Sequence, residues 1–162
     1  MALTFKDGKV NVMDIGILDE VMFKLPKESS VPLSQGMVLN FASAVVYGVQ
    51  GIGEKLQCKF IKTMKASTGK QVDFTGEDFE AKIEGELIIS KIKKKGRAKV
   101  GHSMISGEHA KVTTDSITDT STNGTYILAK KLDEIVAGIS SQWVPVEANS
   151  EVWLSDYMFN IS

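Results

Sequence analysis

The stretch that decides the fold class is Phe79-Glu80-Ala81-Lys82-Ile83-Glu84-Gly85-Glu86-Leu87-Ile88-Ile89. Apolar and charged residues alternate along most of it. A period of two is typical of a β-strand that has one face in a core and the other in water. The stretch is longer than an ordinary strand of about 5–6 residues. We therefore predict a long strand here and a fold built mainly of β-structure.

Downstream of this strand the chain is expected to turn back on itself. Lys93-Lys94-Lys95-Gly96 has the composition of a turn, and Arg97 to Val100 alternates again. The sequence thus predicts one long charged hairpin over about residues 77–100. Its first arm carries the acidic residues Glu77, Asp78, Glu80, Glu84 and Glu86.

Further strands are predicted on the N-terminal side. Asp7-Gly8 favours a two-residue type I′ turn, which would pair Phe5 with Val10 and Leu3 with Val12 on one face. A short strand from Val21 is expected to end at Pro26.

Residues 37–49 and the segment after them complete this half of the chain. The apolar residues of 37–49 fit helical spacing, but its many valines favour a strand, which is the interpretation we prefer. Next, Leu56, Cys58 and Phe60 alternate with polar residues and predict a strand. A polar loop follows, over about residues 61–76.

The C-terminal part contains the one predicted helix, over about residues 126–139. Leu128, Leu132, Ile135, Val136 and Ile139 recur at helical spacing, and Thr125 or Asn123 could cap its start. Residues 103–125 are expected to form an edge strand or an ordered loop, and 152–159 a final strand. Together these elements predict one mainly β domain over residues 1–162, an antiparallel sandwich or barrel-like sheet with one amphipathic helix.

Length, charge and apolar patterning limit the function classes. The chain has 162 residues, which is near the size of one domain. Its 19 basic and 20 acidic residues give no overall field that would attract nucleic acid or an anionic membrane. We find neither a secretory signal pattern nor an apolar run of about 18 residues, and expect a virion or cytoplasmic protein that does not enter a membrane.

Few residues are suited to catalysis or metal binding. His102 and His109 flank a glycine-containing stretch that is expected to be a solvated loop, and their spacing matches no common zinc site. Cys58 lies on the apolar face of its predicted strand and is expected to be buried. Gly51-Ile52-Gly53-Glu54-Lys55 lacks the spacing of a phosphate-binding loop. We therefore predict no catalytic, cofactor or metal site and a protein that is not an enzyme.

The most distinctive charge feature is a cluster of six cations within nine residues. They are Lys91, Lys93, Lys94, Lys95, Arg97 and Lys99. Three interpretations remain open. The cluster could be a solvated hairpin tip that prevents aggregation, since lysine commonly has this use. It could contact the acidic residues Glu80, Glu84 and Glu86 of a neighbouring copy. It could bind nucleic acid through phosphates, although the segment contains no aromatic side chain for stacking.

In general plan, a mostly antiparallel domain with a long charged hairpin, one helix and polar loops resembles phage tail-tube and other virion structural subunits. The resemblance implies assembly by sheet extension and loop insertion between copies, and it transfers no site residue. We therefore expect a self-assembling homo-oligomer, a ring or a stack, in which hairpin 77–100 and loop 61–76 contact adjacent copies or other virion proteins. A nucleic-acid-binding module that uses residues 91–99 is the alternative.

Overall fold

The computed structural model describes residues 1–16, 20–64, 74–148, 150–154 and 157–161. These residues form sixteen strands and one short helix. In chain order the elements are β1 (Ala2–Lys6), β2 (Lys9–Met13), β3 (Val21–Lys24), β4 (Ser30–Pro32), β5 (Val38–Phe41), β6 (Val45–Gly51), β7 (Lys55–Thr63), β8 (Phe79–Lys82), β9 (Leu87–Ser90), β10 (Arg97–Lys99), β11 (Ala110–Val112), β12 (Ser116–Asp119), β13 (Thr125–Leu128), α1 (Leu132–Ala137), β14 (Val144–Val146), β15 (Ser150–Leu154) and β16 (Tyr157–Ile161).

The strands form three sheets. The largest has eight strands in the order β16-β15-β3-β13-β5-β6-β7-β8, the second has five in the order β10-β9-β11-β12-β4, and the third is β1-β2-β14. All pairs are antiparallel except β9 with β10. The predicted fold class, a mainly β, sandwich-like antiparallel fold, is confirmed.

The N-terminal hairpin has the predicted turn and register. Phe5 pairs with Val10 and Leu3 with Val12. Asp7 and Gly8 have φ values of 54° and 75°, as a type I′ turn requires of both central residues. This agreement arises because turn type and strand register are both local properties.

Residues 37–49 form strands, as we preferred. β5 and β6 lie side by side in the largest sheet, and a tight turn at Ala42 and Ser43 joins them. Both turn residues have positive φ, at 62° and 56°. The backbone N–H of Ala44 donates to the carbonyl oxygen of Phe41 at 3.1 Å and closes the turn.

The predicted helix over residues 126–139 is wrong in most of its length. Residues 125–128 are strand β13, which pairs with β3 on one side and with β5 on the other. Only Leu132–Ala137 is helical. Glu134 fixes the start of α1, since its Oε1 accepts the backbone N–H of Lys131 at 2.7 Å. Neither Thr125 nor Asn123 caps this helix, because strand β13 begins at Thr125 and ends before α1 starts at Leu132.

The predicted long hairpin over residues 77–100 is also wrong. The chain turns at Gly85, where φ is 76°, and passes from the eight-stranded sheet (β8) to the five-stranded sheet (β9). β9 then pairs with β10 in parallel, with Arg97 opposite Ile88. The alternation fixed which side chains face inward, but it carried no information on a change of sheet.

Two smaller expectations need correction as well. Residues 103–125 contain the two strands β11 and β12, and both lie inside the five-stranded sheet rather than at its edge. The final strand predicted over 152–159 is a hairpin, in which β15 pairs with β16 and Val152 lies opposite Phe159.

The main core lies between the eight-stranded and five-stranded sheets. Cys58 is buried there, as predicted, and burial raises the pKa of its thiol to about 12. Core residues from both sheets include Leu39, Phe41, Tyr47, Leu56, Leu87, Ile89, Val112 and Ile117.

On the opposite face of the eight-stranded sheet lies α1. Leu132 and Ile135 pack there beside Met22, Val38 and Val46. A Cβ atom on Gly48 would lie 2.5 Å from Cδ1 of Leu132, so glycine allows the helix to sit directly on β6. The three-stranded sheet packs on the end of the large sheet, where Val12 joins a separate small cluster.

Candidate functional site

The loop between β9 and β10 carries most of the basic cluster. Lys91, Lys93, Lys94 and Lys95 are exposed there, and so is Lys99 on β10. Within the described part of the chain, none of these five lysines forms an ion pair. The exposed apolar side chain of Ile92 lies among them. The loop therefore presents cationic groups that are available to a partner.

Arg97, the sixth cation, is a structural residue. Its guanidinium Nη1 donates to the carbonyl oxygen of Gly107 at 2.8 Å, and its Nη2 lies 3.3 Å from Oε1 of Glu108. These contacts fasten β10 to the loop that precedes β11. Arg97 is half-buried and is engaged within its own chain.

The acidic candidates are not gathered on a separate arm. Glu80 accepts a hydrogen bond from Nζ of Lys55 at 2.7 Å, which raises the pKa of Lys55. Glu84 and Glu86 lie on either side of the Gly85 turn and are exposed. Both line a shallow depression of about 380 Å³ together with Lys95 and Arg97.

Acidic and basic residues of one copy thus lie side by side. The arrangement we expected, one hairpin with an acidic arm and a basic tip, is wrong because β8 and β9 lie in different sheets. Opposite charges within one depression offset each other's field, so this surface has less capacity for head-to-tail matching than a bipolar hairpin.

Both histidines are buried, contrary to the expected solvated loop. Nδ1 of His102 accepts the backbone N–H of Met104 at 3.1 Å, and Nδ1 of His109 accepts that of Ser106 at the same distance. His109 also contacts the carbonyl oxygen of Gly124 through Nε2, at 2.9 Å. Burial lowers the pKa of both rings. The two imidazoles satisfy backbone groups of neighbouring turns, which is a structural role.

The acidic side chain of Asp119 also forms hydrogen bonds within its own chain. Asp119 is buried, and its Oδ1 accepts hydrogen bonds from the backbone N–H of Ser121 at 3.1 Å and from the hydroxyl of Thr125 at 2.9 Å. Over the described ranges, no group of three or more His, Cys, Asp or Glu residues is placed to hold a metal ion. Asp119 and the two histidines therefore serve the chain's own loops.

Sequence reasoning missed the exposed apolar residues of two edge strands. On β1, Leu3 and Phe5 are 58% and 74% exposed. On β16, Met158 and Phe159 are 44% and 43% exposed. The N-terminal alternation placed Leu3 and Phe5 on one face with Val12, but only the packing shows that Val12 on β2 is buried while Leu3 and Phe5 on the outer strand meet water.

The remaining sheet edges are protected. Strand β4 has three residues and ends in Pro32, and β14 has three residues with Pro145 at its centre. Strands β8 and β10 contact each other, so these two edges meet along one side of the sandwich. Short strands, prolines and mutual cover are the usual ways in which proteins prevent edges from pairing.

β1 and β16 lack these protections in the part of the chain that the structure describes. Each has five residues, contains no proline and pairs on one side only, β1 with β2 and β16 with β15. An edge strand presents a row of unpaired backbone N–H and C=O groups to any strand that approaches. We call β1 and β16 the open edges.

Comparisons with protein-family models, with curated proteins and with solved structures found no match for this chain. Among the described residues there is no helix whose length and apolar character would let it cross a membrane.

Proposed function

We propose that this protein is a non-enzymatic structural subunit that assembles with copies of itself, as part of a phage tail tube or another virion component. The observation that carries the proposal is the pair of open edges. They combine free backbone hydrogen-bonding groups with four large exposed apolar side chains, Leu3, Phe5, Met158 and Phe159.

Strand addition at such an edge forms main-chain hydrogen bonds and removes apolar side chains from water. Burial of apolar surface contributes about 25 cal/mol per Å². Among the described strands, four of the six sheet edges are protected while these two are open. Exposed apolar side chains also occur elsewhere, for example at Ile92 and Val136, but the two open edges combine them with unpaired backbone groups, which favours a functional contact.

Assembly by sheet extension is also what the resemblance to virion subunits implies. Two features behind that resemblance, the long charged hairpin and the helix over residues 126–139, were predicted wrongly. The antiparallel plan and the open edges are the features that support it. Of the expected contact loop 61–76, residues 61–63 belong instead to strand β7, and residues 65–73 lie outside the described residues. The virion setting is therefore proposed on the assembly mode alone.

A matched pair of substitutions tests the proposal. Phe5 on an open edge and Val136 on α1 are both 74% exposed. We expect Phe5→Lys to reduce assembly strongly, because an edge lysine would place a charge where the next strand must pack. Val136→Lys adds the same charge away from the edges and should leave assembly unchanged.

Sedimentation velocity of the wild type and both variants measures the outcome. Circular dichroism confirms that each variant is folded. Equal assembly of the two variants, whether both assemble or neither does, would argue against a role for the open edge.

The exposed lysines of the β9–β10 loop support a second candidate, a nucleic-acid-binding module. If it is correct, the affinity for single- or double-stranded nucleic acid should fall linearly with salt on a log–log plot. Joint replacement of Lys93, Lys94 and Lys95 by Glu should then abolish binding. Fluorescence anisotropy at several salt concentrations measures this, and wild-type protein that binds neither DNA nor RNA at low salt would exclude the candidate.

A further inference from the structure

We infer that the two open edges are partners of each other, so that β1 of one copy adds to β16 of the next. This inference rests on the proposed self-assembly and specifies its geometry. The alternatives are pairing of β1 with β1 and of β16 with β16.

The two edges match in the properties that strand pairing requires. Each is five residues long, so neither strand leaves part of the other unpaired. Each brings exposed large apolar side chains, Leu3 and Phe5 on one face of β1 and Met158 and Phe159 on opposite faces of β16, so one of the latter two shares a face with Leu3 and Phe5. Aromatic and aliphatic pairs across neighbouring strands stabilise the pairing.

Charge distinguishes this pairing from the alternatives. Residues 1–13 carry two lysines against one aspartate, whereas residues 150–162 carry Glu151 and Asp156 and no lysine or arginine. Pairing β1 with β1 would bring two basic hairpins together, and pairing β16 with β16 would bring two acidic ones together. Like charges that meet at an interface are unfavourable. Pairing β1 with β16 brings a basic hairpin to an acidic one.

Individual residues are placed for this contact. Lys9 already lies 3.7 Å from Glu147 of its own copy, so Lys6 at the end of β1 is the cation best placed for a neighbour. Glu151 lies opposite Asn160, one strand inside the β16 edge. A strand added to β16 would lie two strand spacings, or about 10 Å, from Glu151, a distance that a lysine and a glutamate side chain can span together.

The consequence for assembly is a head-to-tail contact. Each copy gives β1 to one neighbour and β16 to another, so every open edge is covered. Repetition of such a contact generates a ring if the rotation closes and an open filament if it does not.

Engineered cysteines test which edges meet. Cys58 is buried in the core, so a cysteine at an exposed position is the thiol that reacts first. Thr4 in the middle of β1 and Asn160 on β16 are exposed and polar, which suits replacement. The experiment compares three variants: Thr4→Cys, Asn160→Cys and the double variant. Each is treated with a short bismaleimide, whose reach tolerates a shift in register, and is then run on a denaturing gel.

The expected result is a ladder of covalent multimers from the double variant and uncross-linked chains from each single variant. Cross-linked dimers from a single variant would overturn the inference, because they show like edges meeting. An assembly of multimeric mass without a ladder would also overturn it, while the proposed self-assembly would stand. If sedimentation shows only monomers, the proposed function fails as well.

Discussion

Two hydrogen bonds hold the imidazole of His109 in one neutral form. Because Nδ1 accepts the N–H of Ser106, the ring proton lies on Nε2 and is donated to the carbonyl oxygen of Gly124. The ring is fully buried and packs edge-on against Phe41, with 5.7 Å between ring centroids. Burial lowers the pKa of His109 from its ordinary value of 6.5. The folded state therefore favours the neutral ring.

We predict that mild acid destabilises the fold through His109. The unfolded chain binds this proton more readily, so the stabilisation is complete above about pH 6.5 and is lost as pH falls through that value toward the lower folded pKa. One proton gives a slope of at most about 1.4 kcal/mol per pH unit. Urea unfolding at a series of pH values between about 7.5 and 5 measures the slope.

His109→Gln is the control for this prediction. It removes the titrating group and keeps a side chain that can hydrogen-bond, so its slope should be smaller than that of the wild type. Burial also lowers the pKa of His102, which acts in the same direction, and raises the pKa of Asp14, which acts in the opposite one; both groups are common to the two proteins and cancel in the comparison. Equal slopes in the two proteins would contradict the assignment.

Residue environments could be predicted only where they follow from strand alternation. Burial of Cys58 followed from its place on the apolar face of β7 and is confirmed. The burial of His109 did not follow, since Phe41 and Gly124 reach it from other parts of the chain. Arg97 was grouped with the lysines for the same reason: its partners Gly107 and Glu108 lie in a later loop.

At the scale of elements, the Gly85 turn directs the chain from one sheet to the other. Its φ of 76° lies in the left-handed region, where a side chain costs about 1–2 kcal/mol. A Cβ at this position would meet nothing within 4 Å, so the cost would come from the backbone alone. We predict that Gly85→Ala lowers the free energy of unfolding by about 1 kcal/mol, as measured by urea unfolding.

Gly107→Ala is the matched control. A Cβ there also meets nothing within 4 Å, and the backbone lies outside the left-handed region. This replacement should be neutral or slightly stabilising, because alanine restricts the unfolded chain. If both variants lose the same stability, the turn geometry at Gly85 is not the cause.

Element type was predictable where the deciding signal is local. The Asp7-Gly8 hairpin has its expected register for that reason. The helix over residues 126–139 failed because pairing with β3 and β5 overrides the helical spacing of a few apolar residues. The hairpin over 77–100 failed because alternation specifies the faces of a strand and not its partners.

At the scale of the whole molecule, the candidate contact surfaces depend on the order of strands in the sheets. A sequence pattern cannot show which strand lies last in a sheet, so the exposure of Phe5 and Phe159 could not be predicted. The charge cluster was visible in the sequence, but the mixing of Glu84 and Glu86 with Lys95 was not. Strand order, and not composition, distinguishes the open edges from the protected ones.

The mass of the wild-type chain in solution tests the central claim of self-assembly most directly. Light scattering after size-exclusion chromatography should give a mass several times the 17.7 kDa of one chain, which rises with concentration or remains at a closed ring. A constant mass of 17.7 kDa across the whole concentration range would contradict it.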